Sequence, residues 1–169
     1  FGTDADNRFV IRLDGQDKFR TTTTTGNSPS ENKMMIEPLT VNNALYFGNN
    51  AGLNAATSAD NTGIGYNALK NVNSLGIKNT AFGSESLVSN TSGSNNTAVG
   101  KNALMNNTVG IGNTALGVNA LLNNINGDYN TAVGFAALND PSDGNYNTAI
   151  GYDAEINGAG INYATAIGP

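Results

Sequence analysis

The stretch Asn96-Thr97-Ala98-Val99-Gly100-Lys101-Asn102-Ala103-Leu104 decides how this chain folds, because it recurs with small changes to the C-terminus. Its opening, Asn-Thr-Ala-aliphatic-Gly, begins at Asn61, Asn79, Asn96, Asn113, Asn130 and Asn147, and a last copy begins at Ala164. The intervals between copies are 18 residues once and then 17 residues five times. A period held this closely indicates stacked copies of one structural unit.

The residues inside each copy predict short strands and corners. The second position is always Thr, the third is small, the fourth is large and apolar, and the fifth is always Gly. This alternation places Thr and the aliphatic residue on one face of a strand and Ala on the other, and Gly permits a corner. An Ala-Leu pair follows, and then Asn and Gly, which are turn residues. We therefore expect two short strands and two corners in each copy.

The length of the copy selects the fold class. Seventeen residues are too few for a helix pair, which needs about 33, and the 30 Asn and 21 Gly disfavour helix over most of the chain. One coil of a parallel β-solenoid fits, with coils stacked about 4.8 Å apart. We predict an all-β chain with a solenoid of about seven 17-residue coils over residues 44–169, which continues beyond this segment.

The residues before the array predict a separate β-rich piece. Arg8 to Leu13 alternates in the manner of a strand, Asp14-Gly15 is a turn signal, and Lys18 to Thr21 is extended again. These features predict a β-hairpin region over residues 1–25. Residues 26–43, which contain Gly, Asn, Ser and Pro, are predicted to form a linker.

Composition excludes several classes of function. The 169 residues include no Cys and no His, which removes the usual zinc ligands and the Cys and Ser-His nucleophiles. The net charge is −5, and no basic run exists to bind phosphates. No apolar run is long enough to cross a membrane. We predict that the segment is not an enzyme, needs no cofactor or metal, binds no nucleic acid and has no membrane span.

The Ala column suggests an oligomer. Each coil supplies about one aliphatic residue from the first strand and one Leu from the second, which is a thin core for one chain. The Ala face has no evident use in a monomer, and a flat face of small residues permits close approach of another chain. We therefore predict an oligomer, most simply three-fold around a fibre axis, with trimer contacts at Ala98, Ala115, Ala132 and Ala149.

The motif Asn-Thr-Ala-Val-Gly-x-x-Ala-Leu resembles the head repeats of YadA-type trimeric autotransporter adhesins, in which Ser-Val-Ala-Ile-Gly recurs in a left-handed parallel β-roll. It is also similar to repeats of phage tail fibres and bacterial surface fibres. The resemblance covers residues 44–169, with Thr in place of Val at the second position and a longer period than in the adhesin heads. It carries over no site residues.

The resemblance implies partners and a location. It implies a homotrimer that is extracellular, either in a virion tail fibre or on a bacterial cell surface. The other partners implied are a host cell-surface protein or glycan and further fibre or virion proteins. On this basis the chain is a structural or adhesive segment that spaces or presents host-binding contacts.

Tyrosines mark one candidate contact within the array. Tyr129, Tyr146 and Tyr163 occupy the last position of three consecutive copies. A column of surface Tyr could contact a receptor protein or glycan, since aromatic residues are enriched at binding surfaces. The other interpretation is a stacking ladder that stabilises the rod.

The Thr column supports an alternative function. It comprises Thr62, Thr80, Thr97, Thr114, Thr131, Thr148 and Thr165. Flat Thr arrays can order water, so an ice- or surface-binding solenoid is the alternative to the fibre. The structural interpretation is that Thr is a β-branched strand residue.

Overall fold

The computed structural model of the protein describes residues 2–3, 9–13, 16–20, 43–55, 58–139, 144–156, 158 and 160–168. These residues contain eleven strands and no helix, which confirms the predicted all-β class. Residue contacts divide the chain into two units, Phe1–Val41 and Asn42–Pro169.

The first unit contains a small antiparallel sheet. Its strands are β1 (Gly2–Thr3), β2 (Phe9–Leu13) and β3 (Gln16–Arg20), in the order β1-β2-β3. The pairing of β2 with β3 is antiparallel. The predicted Asp14-Gly15 turn and residues 26–42 of the predicted linker lie outside the described residues, so the hairpin and the linker stay predictions.

The second unit is a parallel β-solenoid of about seven turns, as the period predicted. Eight three-residue strands form one sheet in chain order, and each Thr stands beside the Thr of the next coil. The strands are β4 (Leu45–Phe47), β5 (Thr62–Ile64), β6 (Thr80–Phe82), β7 (Thr97–Val99), β8 (Thr114–Leu116), β9 (Thr131–Val133), β10 (Thr148–Ile150) and β11 (Thr165–Ile167).

Each coil contributes one strand to this sheet, so the prediction of a second strand at the Ala-Leu pair is wrong. That segment forms turns, and Leu104 has a φ of 51°. A turn can direct both Ala103 and Leu104 into the core, where both are fully buried. A strand would have directed one of them outward. Backbone bonds still join the coils here, as from the Leu104 N–H to the Ala120 carbonyl at 3.0 Å.

The strand alternation is confirmed, but the two faces are the reverse of those we expected. In β8, Ala115 is fully buried while Thr114 and Leu116 are exposed. The predicted trimer contacts Ala98, Ala115, Ala132 and Ala149 all lie in the core of their own chain with no exposed surface. Those four contacts are therefore wrong: these alanines belong, with the turn leucines, to the hydrophobic core of their own chain.

A ladder of buried asparagines explains why Asn begins six of the seven copies. The Asn113 side chain donates from Nδ2 to the Gly127 carbonyl at 2.7 Å, and its Oδ1 accepts from the Asn130 N–H at 2.9 Å. Asn96 and Asn130 repeat both bonds in their own coils. Each amide thus crosses its own coil and bonds the next one, which satisfies polar groups that burial would otherwise leave unpaired.

The first coil departs from the pattern because a ring occupies its interior. Tyr46 lies in register with Gly63 in the column that otherwise holds Ala, and its ring packs against the core. A Cβ on Gly63 would lie 2.9 Å from the Tyr46 ring. The Tyr46 hydroxyl lies 3.3 Å from that of Ser58. The position of the Tyr46 ring therefore explains why Gly63 stands at the third position, where all later copies have Ala.

The single 18-residue interval is absorbed at one corner. The extra residue falls within Asn73-Ser74-Leu75, where the Asn73 Oδ1 accepts the Leu75 N–H at 2.9 Å and Leu75 is 68% exposed. Strand register is unaffected, since Thr62 still pairs with Thr80.

Candidate functional site

The outward side of the eight-stranded sheet, which we call the outer sheet face, carries two parallel columns. One column consists of the seven Thr residues of β5 to β11, of which Thr80, Thr97, Thr114 and Thr165 are exposed. The other consists of large apolar residues: Phe47, Ile64, Phe82, Val99, Leu116, Val133, Ile150 and Ile167. Phe82 is 56% exposed and Leu116 is 48% exposed. Phe47, Ile150 and Ile167 are exposed as well, while Ile64, Val99 and Val133 are half-buried. A contiguous apolar column with most of its members exposed is uncommon on monomeric proteins and marks interaction surfaces.

The chemistry of the outer sheet face is uniform and uncharged. The strands β5 to β11 consist only of Thr, Ala or Gly, and apolar residues. Because neighbouring strands are in register, like residues repeat at the strand spacing of about 4.8 Å. The face can therefore pack against another regular, uncharged surface.

The three predicted tyrosines do come together. The rings of Tyr129 and Tyr146 stack with centroids 5.0 Å apart, and those of Tyr146 and Tyr163 stack at 4.9 Å, with nearly parallel planes. All three are exposed. Stacking occupies the ring faces between neighbours, so along the ladder a partner would meet ring edges and hydroxyls. The structure shows the stacking, and the receptor contact stays a prediction.

The tyrosines occupy a left-handed backbone position that bulky residues rarely adopt. Their φ angles are 56°, 59° and 58°, and earlier coils place Asn95 and Gly112 at the same corner. A neighbouring column holds this corner: the Asp128 N–H donates to the Asn145 Oδ1 at 2.7 Å, and the Asn145 N–H donates to the Asn162 Oδ1 at 2.6 Å. The corner is thus fixed independently of the side chain that it presents.

A second aromatic pair lies beyond the opposite ends of the strands. Phe135 and Tyr152 stack at 5.4 Å and are both exposed. They follow Val133 and Ile150 by two residues, as the tyrosine ladder precedes the threonines by two. In the C-terminal coils, aromatic residues therefore border the outer sheet face at both ends of its strands.

Among the residues that the structure describes, no group of three or more acidic side chains could hold a metal ion. No helix in that part of the chain is long and apolar enough to cross a membrane. Comparison of the chain with protein-family models, with curated proteins and with solved structures gives no match.

Proposed function

We propose that this chain is a structural and adhesive segment of a homotrimeric extracellular fibre. The observation that carries the proposal is the outer sheet face, an exposed apolar column on a rigid parallel sheet. The resemblance to adhesin-head and tail-fibre repeats points the same way, and it implies a left-handed coil.

The trimer contact in this proposal is the outer sheet face. Burying apolar surface gains about 25 cal/mol per Å², and every coil contributes an aliphatic or aromatic residue to that face. Around a three-fold axis parallel to the column, each chain meets its neighbours at the same height. No like charges oppose one another there, since the strands β5 to β11 have none. Closed rotational symmetry is the usual arrangement of homo-oligomers.

The adhesive role follows from rigidity and repetition. Stacked coils joined along their length make a stiff, quasi-one-dimensional element, and three copies present each surface group three times, which strengthens weak contacts. The edges and hydroxyls of Tyr129, Tyr146 and Tyr163 are the proposed contact with a host protein or glycan. The fibre belongs to a virion tail or a bacterial surface, where it joins other fibre or virion proteins.

Light scattering on the purified chain tests the trimer. We expect three times the 17.4 kDa chain mass. Leu116→Lys places a charge in the proposed contact and should yield monomers with an unchanged circular dichroism spectrum. Val118→Lys is the matched control, because Val118 is also exposed, lies past the Gly117 corner and shares its column with Lys101. A wild-type chain that is monomeric at micromolar concentration contradicts the proposal.

A second candidate function uses the same face. The Thr side chains point outward from a flat sheet, as an ice- or surface-binding solenoid requires. A trimer would cover this face, so the two functions exclude each other. The second function predicts thermal hysteresis that Thr114→Lys with Thr131→Lys abolishes, and a monomeric chain without hysteresis rules it out.

A further inference from the structure

Three consecutive coils form a shallow groove that shares no described lining residue with the outer sheet face or the tyrosine ladder. Its volume is about 470 Å³, and it is lined by Ser89, Asn106, Thr108, Asn123 and Ile125. Ser89, Asn106 and Asn123 succeed one another in one column, and Thr108 and Ile125 in another, on either side of the buried Asn107 column. The groove therefore runs along the solenoid axis, with equivalent positions of successive coils lining it.

The groove offers hydrogen-bonding groups that the chain leaves unused. The Asn106 Nδ2 donates to the Asn123 Oδ1 at 2.9 Å, and the Thr108 hydroxyl donates to the Ile125 carbonyl at 3.3 Å. Within the described residues, the Ser89 hydroxyl and the Asn106 Oδ1 have no hydrogen-bond partner. Both residues are half-buried and line the groove.

Main-chain donors on three of the lining residues are already engaged. The Ser89 N–H donates to the Met105 carbonyl at 3.1 Å, the Asn106 N–H to the Leu122 carbonyl at 3.0 Å and the Thr108 N–H to the Ile125 carbonyl at 3.0 Å. An extended peptide that binds by adding a strand needs free main-chain groups, and these three donors are occupied. Recognition at Ser89, Asn106 and Thr108 therefore falls to their side chains.

We propose that the groove binds a neutral oligosaccharide lying along the solenoid axis. Amides and hydroxyls pair with sugar hydroxyls, and Ile125, which is 44% exposed, packs against the apolar C–H groups of a sugar ring. Coils about 4.8 Å apart present a polar side chain to each of three successive sugars, from Ser89, Asn106 and Asn123. Among the described residues, the lining has no charged side chain, so these residues give no advantage to acidic sugars.

The assignment rests on the proposed fibre function only for its biological setting. The groove is built within one chain, so oligosaccharide binding does not require a trimer. Measuring the mass of the same sample by light scattering separates the two ideas: a monomer that binds contradicts the trimer alone, and a trimer that does not bind contradicts the groove alone.

The test is isothermal titration calorimetry of the full chain with neutral linear hexasaccharides of glucose, mannose and N-acetylglucosamine, and with one sialylated oligosaccharide for comparison. We expect at least one neutral chain to bind. Ser89→Ala and Asn106→Ala should each weaken its binding about tenfold, which corresponds to about 1.4 kcal/mol. Ser89→Ala removes a hydroxyl without a partner, so the fold is not at risk.

Asn71→Ala is the matched control. Asn71 lies in the same column as Asn106 and accepts the equivalent bond from the Asn54 Nδ2 at 3.1 Å, but it is not part of the groove. Its replacement should leave the binding unchanged. Three results would overturn the assignment: no binding of any neutral chain at about 10 mM, which would reveal even a millimolar Kd, equal losses in the Asn71 and Asn106 variants, or preferred binding of the sialylated sugar.

Discussion

The inner and outer sides of the coils differ in how much their residues vary from one coil to the next. Inside, the same residues recur from coil to coil: Ala115 is preceded by Ala98 and followed by Ala132, and the Asn column is equally uniform. Outside, the residues vary: the apolar position of the strand is Phe82 in one coil and Val99 in the next, and the corner before the strand is Gly112 in one coil and Tyr129 in the next. Stacking at the strand spacing dictates the inner residues, because each must fit against its own copy. The outer positions are free to differ, and there the chain can acquire function.

The largest expected effect on stability comes from a charged substitution on the inner side of a coil. Ala115→Glu places a carboxylate where no surface is exposed and no partner is available. Burial of an unpaired charge should cost more than about 4 kcal/mol. We expect the β signal in circular dichroism to be lost and the thermal transition to disappear.

The adjacent outer residue provides the contrast. Thr114→Glu introduces the same carboxylate one residue earlier, on an exposed side chain, and should preserve the spectrum. If Ala115→Glu folds normally and changes only the oligomeric state, then the inner and outer sides have been assigned the wrong way round.

A smaller inner effect is expected from the asparagine ladder. Asn113→Ala removes two bonds and leaves the Asn130 N–H unpaired in the core, while the Gly127 carbonyl keeps its bond from the Asn124 Nδ2 at 3.0 Å. The expected loss is about 1–3 kcal/mol in the free energy of unfolding, measured by urea denaturation. Asn71→Ala removes one exposed side-chain bond and should cost less than about 1 kcal/mol. Equal losses would mean that the buried amides are not what joins the coils.

The smallest effect is expected at the outer corner. Tyr146→Asn removes two stacked contacts, worth about 0.5–1.5 kcal/mol each. It also places Asn, which tolerates a left-handed backbone conformation better than Tyr, at this positive φ, and this gains about 1 kcal/mol. The net loss should be about 1 kcal/mol by the same denaturation experiment.

Phenylalanine separates the ring from the hydroxyl at this position. Tyr146→Phe keeps the stack and should leave stability within about 0.5 kcal/mol of the wild type. A loss of several kcal/mol in the Asn variant would show that the ladder is a structural requirement, and the receptor role would lose its motivation.

Much of the fold was predictable because the period of the sequence repeat determines which residues of neighbouring coils pair. Recurrence at 17 residues required coils in register, so Thr97 had to meet Thr114. Alternation gave Thr and the aliphatic residue one side and Ala the other. The signal for the orientation of the two faces was also present: five consecutive coils supply a buried Leu from the turn, namely Leu69, Leu87, Leu104, Leu121 and Leu138, so the strand need supply only a small residue to the core.

The prediction of which strand face points into the core was wrong because the aliphatic residues were assumed to point inward. That rule fails where a turn rather than a strand supplies the core leucine. Leu104 adopts a positive φ, a conformation that no propensity scale assigns to leucine, so the sequence suggested a second strand. The groove at Ser89 and Asn106 was equally hidden, because its residues belong to neighbouring coils and form no motif along the chain.

The corner at Asn73 to Leu75 has a consequence for how such arrays diversify. One additional residue is tolerated there while Thr62 and Thr80 keep their pairing. That corner is therefore a natural point of insertion, at which longer loops could be grafted without disturbing the columns. An array built in this way can acquire new surface loops one coil at a time. The loops and the stacked core can therefore vary independently of each other.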